Sequence, residues 1–62
     1  MADREELRQI IARQIKTKRE AALRARRLAS EFWSAEDRER ALRFAEEMDA
    51  QADELERHNA DD

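Results

Sequence analysis

The residues with the clearest chemical potential are cations that recur in the first half of the sequence. They are spaced three to five residues apart, which on a helix sets them on the side away from an apolar stripe. Guanidinium and ammonium groups bind phosphate oxygens strongly, so a nucleic-acid backbone is one ligand that such a surface fits. The other interpretation is a solvated surface that attracts an acidic partner helix. This basic surface consists of Arg13, Lys16, Arg19, Arg24 and Arg27.

The distribution of charge favours the second interpretation. The 62 residues include 13 Lys or Arg and 16 Asp or Glu, for a net charge of −3. Residues 1–30 carry nine basic and four acidic side chains, a net +5, whereas residues 31–62 carry four and twelve, a net −8. Nucleic-acid-binding domains are usually net basic, and no aromatic side chain lies within the basic surface to stack on a base. The two halves are therefore predicted to be a basic rod and an acidic rod that attract each other.

Signatures of catalysis and of metal binding are missing from the sequence. Cysteine and glycine do not occur, and histidine occurs once, which leaves no thiolate ligand and no glycine-rich phosphate loop. His58 is expected near the C-terminal end of a helix, where its ring interacts favourably with the terminal carbonyl groups. Glu46 and Glu47 are expected on a solvated surface rather than at a pair of metal ions. The sequence thus predicts a protein that is not an enzyme and that uses no cofactor or metal.

Both halves are predicted to be helical and to form one domain over residues 1–62. Strong helix formers dominate, and neither Gly nor Pro interrupts them. Ser34 suits the cap of a new helix, because acidic residues follow it in the first turn. The apolar stripes of the two halves are rotated by roughly 120° from each other, so one straight helix could not bury both on one side. We predict an antiparallel hairpin with helices over about 3–32 and 35–58; the alternative is one continuous helix of about 90 Å.

One apolar stripe per helix is expected to form the core. In the second half the stripe follows the alternating steps of four and three residues that are typical of a coiled coil. Only 13 apolar residues are larger than alanine, which is too few for one hairpin to enclose its own core. Two hairpins are therefore expected to pair as a homodimeric four-helix bundle. The stripe comprises Leu7, Ile11, Ile15, Ala22, Ala25, Ala29 and Phe32 of the first helix, with Ala41, Ala45, Met48, Ala52 and Leu55 of the second.

A polar residue and an aromatic cluster interrupt this pattern. Lys18 falls within the stripe of the first helix, and hairpin pairing would place it opposite Asp49 as a polar layer. The alternative is that its ammonium group extends from the seam to water. Phe32, Trp33 and Phe44 lie at or near the loop. They are expected to close the loop end of the bundle, and the alternative is an exposed anchor for another protein, since aromatic residues are enriched at interfaces.

Two segments resemble the Rop family of plasmid-encoded RNA-binding regulators. Ile11-Ala12-Arg13-Gln14-Ile15-Lys16-Thr17 is similar to the middle of that family's first helix, and Ala52-Asp53-Glu54-Leu55 with Arg57 is similar to a stretch of its second helix. The resemblance implies a helical hairpin that dimerises into a four-helix bundle and binds structured RNA through its first helix. The chain also resembles small uncharacterised bacterial proteins that join an Arg-Ala-rich helix to a Glu-Ala-rich helix through a short break.

The polar residues of the first segment determine what the Rop resemblance implies for binding. Arg13, Lys16 and Lys18 occupy the matching positions from which side chains could contact phosphate. Gln14 stands where the family has an aromatic residue on its RNA-facing side. The second segment lies about one heptad further along the chain than in the family. The resemblance therefore implies the architecture more strongly than it implies RNA binding.

These observations lead to two functional hypotheses. The first is a small, non-enzymatic helical protein that associates with itself and acts through protein–protein contacts. The alternative is a Rop-like regulator that binds structured RNA through the basic face of its first helix. No apolar run exceeds three residues, whereas a membrane span needs about 20, so a cytoplasmic protein without a membrane partner is expected.

Overall fold

The computed structural model describes residues 3–60, which form two antiparallel helices joined by a short loop. Helix α1 spans Arg4–Ala29 and helix α2 spans Ala35–Ala60, each with 26 residues. The helices pack along each other as a hairpin with a long axis of 48 Å. No β-strand occurs in this described part of the chain. The predicted all-α hairpin is confirmed, and a single continuous helix is excluded.

Both helices begin at a side-chain cap. Asp3 caps α1, and its Oδ1 accepts a hydrogen bond of 2.8 Å from the backbone N–H of Glu6. Ser34 precedes α2, where its Oγ lies 3.5 Å from the backbone nitrogen of Asp37. Its carbonyl accepts the first α-helical bond, from Arg38, at 3.1 Å. Such oxygens satisfy N–H groups that have no partner inside the first turn of a helix, so Ser34 caps α2 as predicted.

Helix α1 ends at Ala29, three residues before the predicted end at Phe32. The backbone N–H groups of Ser30, Glu31 and Phe32 each bond the carbonyl three residues earlier instead of four. The Ser30 hydroxyl also donates to the carbonyl of Arg27 at 2.7 Å. These bonds satisfy the last carbonyl groups of the helix and tighten its final turn. Ser30 therefore ends α1. The composition of the chain did not indicate an end at this position.

Among residues 3–60, every buried residue is an alanine. The structure buries Ala22, Ala25, Ala29, Ala45 and Ala52, and Met48 packs against the cluster that contains Ala22 and Ala45. Alanine lets two helix backbones approach closely, but it removes little apolar surface from water. The remaining predicted stripe residues are only half-buried or exposed. Half-buried are Ile11, Ile15, Ala41, Met48 and Leu55, and exposed are Leu7 and Phe32.

Candidate functional site

One side of the hairpin carries a cluster of ion pairs that joins the two helices. Arg19 Nη1 lies 3.2 Å from Asp49 Oδ1, and its Nη2 lies 2.7 Å from both Asp53 Oδ1 and Glu56 Oε1. Arg26 Nη2 binds the other carboxylate oxygen of Asp49 at 2.6 Å. Asp49 thus bridges two arginines that are seven residues apart on α1. We call these five residues the ionic cluster.

The ionic cluster changes the pKa of two of its members, Arg19 and Asp49. The hydrogen bonds that Arg19 donates to Glu56 and, with a smaller effect, to Asp53 raise the pKa of its guanidinium. The hydrogen bond from Arg26, with a smaller one from Arg19, lowers the pKa of the Asp49 carboxyl below its usual value of 3.8. Opposite charges nearby favour the ionised form of each group. Arg19 and Asp49 therefore stay ionised at neutral pH, and their ion pairs orient α1 against α2.

Acidification is expected to weaken the hairpin through Asp49. Because the pKa of Asp49 is lower in the folded chain, its contribution to stability is complete above the ordinary aspartate pKa of about 4. That contribution is lost as the pH falls from there through the lower folded pKa. Asp49→Asn should lower the melting temperature at pH 7 by a few degrees and flatten its fall as the pH drops below about 4. Thermal melts by circular dichroism across this range provide the measurement.

Glu39→Gln is the matched control for this prediction. Glu39 is an exposed acid of α2 with no ion pair to any residue in 3–60. Its substitution removes one negative charge, as Asp49→Asn does. If both variants melt alike at every pH, the ionic cluster does not join the helices in solution.

Lys18 is bound differently from the prediction. Its Nζ donates to Oε1 of Gln51 at 2.5 Å in a partly buried position, whereas Arg19 and Arg26 occupy the carboxylate of Asp49. The predicted layer of Lys18 and Asp49 is therefore wrong. Gln51 is the neighbour of Lys18 because the two side chains leave the seam on the same side, away from Asp49. The polar layer is a lysine–amide hydrogen bond.

The other side of the hairpin is an open apolar groove. Positions two residues apart on a helix are about 200° apart, so Ala21 and Leu28 point away from the ionic cluster formed by Arg19 and Arg26. The groove near the loop has a volume of about 620 Å³ and is open to solvent. Charged side chains at its margin are Arg24, Asp37 and Arg40. The apolar groove is lined by Ala21, Ala25, Leu28, Phe32, Ala41 and Phe44.

The aromatic residues are exposed in the single hairpin. Trp33 is 98% exposed in the single hairpin, so the closing of the loop end by this residue stays a prediction for the four-helix bundle. Phe32 and Phe44 both line the apolar groove and are themselves exposed at 38% and 46%. A tryptophan with so much of its surface in water stabilises the hairpin little. This arrangement corresponds to the alternative interpretation, an exposed aromatic anchor.

The structure divides the predicted basic surface. Arg19 belongs to the ionic cluster and is bound to α2. Within residues 3–60 the other four cations make no ion pair. Arg24 lies at the margin of the apolar groove, and Arg13 lies beside Ile10 and Thr17 on α1. The cations without an ion pair in the described chain are Arg13, Lys16, Arg24 and Arg27.

The C-terminal end of α2 and the acidic residues provide no metal site in the described chain. His58 Nε2 lies 3.3 Å from Oε1 of Glu54, one helical turn earlier. Glu54 also accepts a hydrogen bond from Arg57, which lowers the pKa of its carboxyl. Across residues 3–60, no three His, Asp or Glu side chains lie close enough together to hold a metal ion. Neither α1 nor α2 has an apolar stretch that could cross a membrane.

Comparison with known proteins adds no relative. No family profile matches the chain, and neither does any curated protein or solved structure. The interpretation of the two sides of the hairpin therefore depends on their own geometry and charge.

Sequence reasoning missed the ionic cluster and two residues that line the apolar groove, Ala21 and Leu28. The signal for the cluster was a second periodic stripe, because Arg19 and Arg26 are seven residues apart and Asp49, Asp53 and Glu56 follow at steps of four and three. The signal for Ala21 and Leu28 was that they share a stripe with two residues already predicted to be apolar contacts. That stripe runs through Ala21, Ala25, Leu28 and Phe32 at steps of four and three.

Proposed function

We propose that the chain is a small, non-enzymatic cytoplasmic protein that pairs with itself as a four-helix bundle and acts through protein–protein contacts. One observation carries this proposal: among residues 3–60, none of the twelve apolar side chains larger than alanine is buried. Eight of them are exposed, including Leu28, Phe32 and Phe44 beside the apolar groove. Exposed apolar surface of this kind marks an interaction site.

Pairing with a second copy supplies what one hairpin lacks. A core made only of alanine provides little hydrophobic stabilisation, because each buried CH₂ contributes about 0.8 kcal/mol. A second hairpin laid on the apolar groove would cover Leu28 and Phe44 with similar residues of its own. Trp33 would stay exposed at the loop, where we propose that it anchors a different protein.

A dimer that folds as a unit makes stability depend on concentration. The melting temperature should rise steadily over about a hundredfold range of protein concentration, because mass action favours the folded dimer. Circular dichroism melts at a series of concentrations measure this effect. A melting temperature that stays constant over the same range would contradict the proposal, since a monomeric hairpin melts independently of concentration.

A second candidate function is binding of structured RNA. It is favoured by the four cations of the basic surface that make no ion pair within residues 3–60, three of which are Arg13, Lys16 and Arg27. Unpaired cations on one helix are available to phosphate groups, and each contact with a phosphate releases counterions. The Rop resemblance supports the same candidate. Gln14, in the position of the family's aromatic residue, argues against it.

Replacing Arg13, Lys16 and Arg27 with Gln tests the RNA candidate. If α1 binds RNA, affinity for a hairpin RNA at low salt should fall by about tenfold or more, and the dependence on salt should become shallower. The control is a triple variant of α2 that changes the net charge by the same amount. It replaces Arg38, Arg40 and Arg43 with Gln. Fluorescence titration against RNA and duplex DNA is the measurement. An unmodified protein that binds neither at low salt would exclude this candidate.

A further inference from the structure

The hairpin exposes more surface than a compact monomer of its mass, and the excess is similar to the area that one subunit buries in a dimer interface. The hairpin exposes 5150 Å² of surface, whereas a compact monomer of 7.4 kDa would expose about 4,200 Å². The excess of about 950 Å² is comparable with the roughly 800 Å² that each partner buries in a standard interface. A second copy is therefore the occupant that suits the apolar groove, and this step depends on the self-association proposed above.

Two hairpins can cover each other's grooves in two twofold arrangements. With both loops at the same end, α1 of one copy packs against α2 of the other. With the loops at opposite ends, α1 packs against α1 and α2 against α2. Neighbouring helices are antiparallel in both arrangements, so helix dipoles do not distinguish them. The charges on the helices do.

The helices carry opposite net charges of similar size. Arg4–Ala29 contains nine basic and three acidic residues, a net +6, and Ala35–Ala60 contains four and nine, a net −5. Axes of packed helices lie about 8–10 Å apart, which is comparable with the Debye length of about 8 Å at physiological salt. Loops at opposite ends would set +6 beside +6 and −5 beside −5. Loops at the same end set opposite charges beside each other throughout.

Arg24 is the basic residue at the α1 margin of the groove for which a second copy could supply an acidic partner. Arg24 borders the groove on α1 and makes no ion pair with the described residues. Inside the hairpin, Arg19 lies across from Asp53. Five residues further along α1, Arg24 would lie across from about residue 48 of an antiparallel α2, next to Glu47. Arg40, the basic residue at the α2 margin, is 3.9 Å from Asp37, which partly neutralises it.

We infer that a second copy covers the apolar groove with both loops at the same end, so that charge alternates around the four helices. Each α1 then lies between two acidic helices, one from its own chain and one from the other copy. The arrangement also brings the two Trp33 side chains to one end of the dimer. A partner protein would meet two aromatic anchors there instead of one.

Distances between spin labels distinguish the two arrangements. The chain has no cysteine, so Glu31→Cys in the exposed loop provides a single labelling site. With loops at the same end, pulsed electron paramagnetic resonance should give a distance below about 30 Å between the two labels at residue 31. The 8–10 Å spacing of packed helices and the length of the label tethers set this limit. With loops at opposite ends, the distance should approach the 48 Å length of the hairpin.

A second label at the other end provides the matched control. Ala60→Cys places the label at the exposed end of α2. In the inferred dimer, the labels at residue 60 of the two copies lie a short distance apart. When chains labelled at residue 31 are mixed with chains labelled at residue 60, dimers that contain one of each give a long distance. With loops at opposite ends, the distance between the two labels at residue 60 is long, and the distance between residue 31 of one copy and residue 60 of the other is short. Both variants must keep the wild-type melting temperature, and either of them alone reports the arrangement.

The outcomes separate this inference from the proposed function. A dimer by sedimentation with short distances at both sites supports the same-end arrangement. A dimer with distances near 48 Å at both sites overturns the arrangement and leaves self-association intact. A monomer without dipolar coupling overturns both.

Discussion

Phe44→Asp is expected to raise the dissociation constant of the dimer by at least about 100-fold. Phe44 is 46% exposed in the hairpin and lines the apolar groove, so a second copy would cover the rest of its ring. Burying a whole phenylalanine side chain stabilises by about 1.5–3 kcal/mol. In a twofold interface the loss counts twice, and each aspartate would also have to lose water. Sedimentation velocity over a dilution series measures the dissociation constant.

Leu23→Asp is the control for Phe44→Asp. Leu23 is also large, apolar and exposed, at 56%, but it lies one turn from Arg19 and Arg26, on the side of the ionic cluster. The substitution adds the same negative charge away from the apolar groove and should leave the dimer intact. Equal dissociation of both variants would mean that added charge, and not loss of the groove, separates the copies. An intact Phe44→Asp dimer would contradict the proposed interface.

Ala22→Leu is expected to lower the melting temperature by about 5–20 °C. Ala22 and Ala45 are both fully buried where the helices meet, and no space remains for three further carbon atoms. Overpacking of a tight core costs about 1–3 kcal/mol of unfolding free energy. A domain of this size loses about 4–8 °C for each kcal/mol. Thermal melts at one fixed concentration provide the measurement.

The same substitution at an exposed alanine of α1 controls for helix propensity. Ala12 is exposed, and alanine and leucine have similar helix propensities. Ala12→Leu should therefore keep the wild-type melting temperature within a few degrees. If Ala22→Leu melts like Ala12→Leu, the two helices are not in close contact at Ala22.

Local signals explain how far the fold could be predicted from sequence. The start of α2 was predictable because Ser34 precedes acidic residues, and serine at this position accepts backbone N–H groups. The seam was predictable because Ala22 and Ala45 lie on regular stripes of opposite helices. The end of α1 was not, because no glycine or proline marks it. Ser30 ends the helix through its own hydroxyl bond to Arg27, which depends on local geometry.

The partners of charged side chains were less predictable than the helices. Antiparallel pairing predicts which residues of α1 and α2 lie at the same height along the hairpin axis. It does not determine on which side of the seam between the helices a long side chain emerges. Asp49 and Gln51 are near the same level, yet one lies beside Arg19 and the other beside Lys18. The surroundings of Trp33 were hard to predict for a related reason. A loop residue is buried only if another element covers it, and no element of the single hairpin covers Trp33.

Sedimentation equilibrium of the unmodified protein tests self-association most directly. At micromolar concentration and physiological salt we expect a mass of twice the 7.4 kDa chain, with dissociation on dilution. Helicity should fall with dissociation, because the alanine core leaves the separate hairpin with little stability. A helical species of 7.4 kDa with an unchanged melting temperature at every concentration would contradict self-association through the apolar groove.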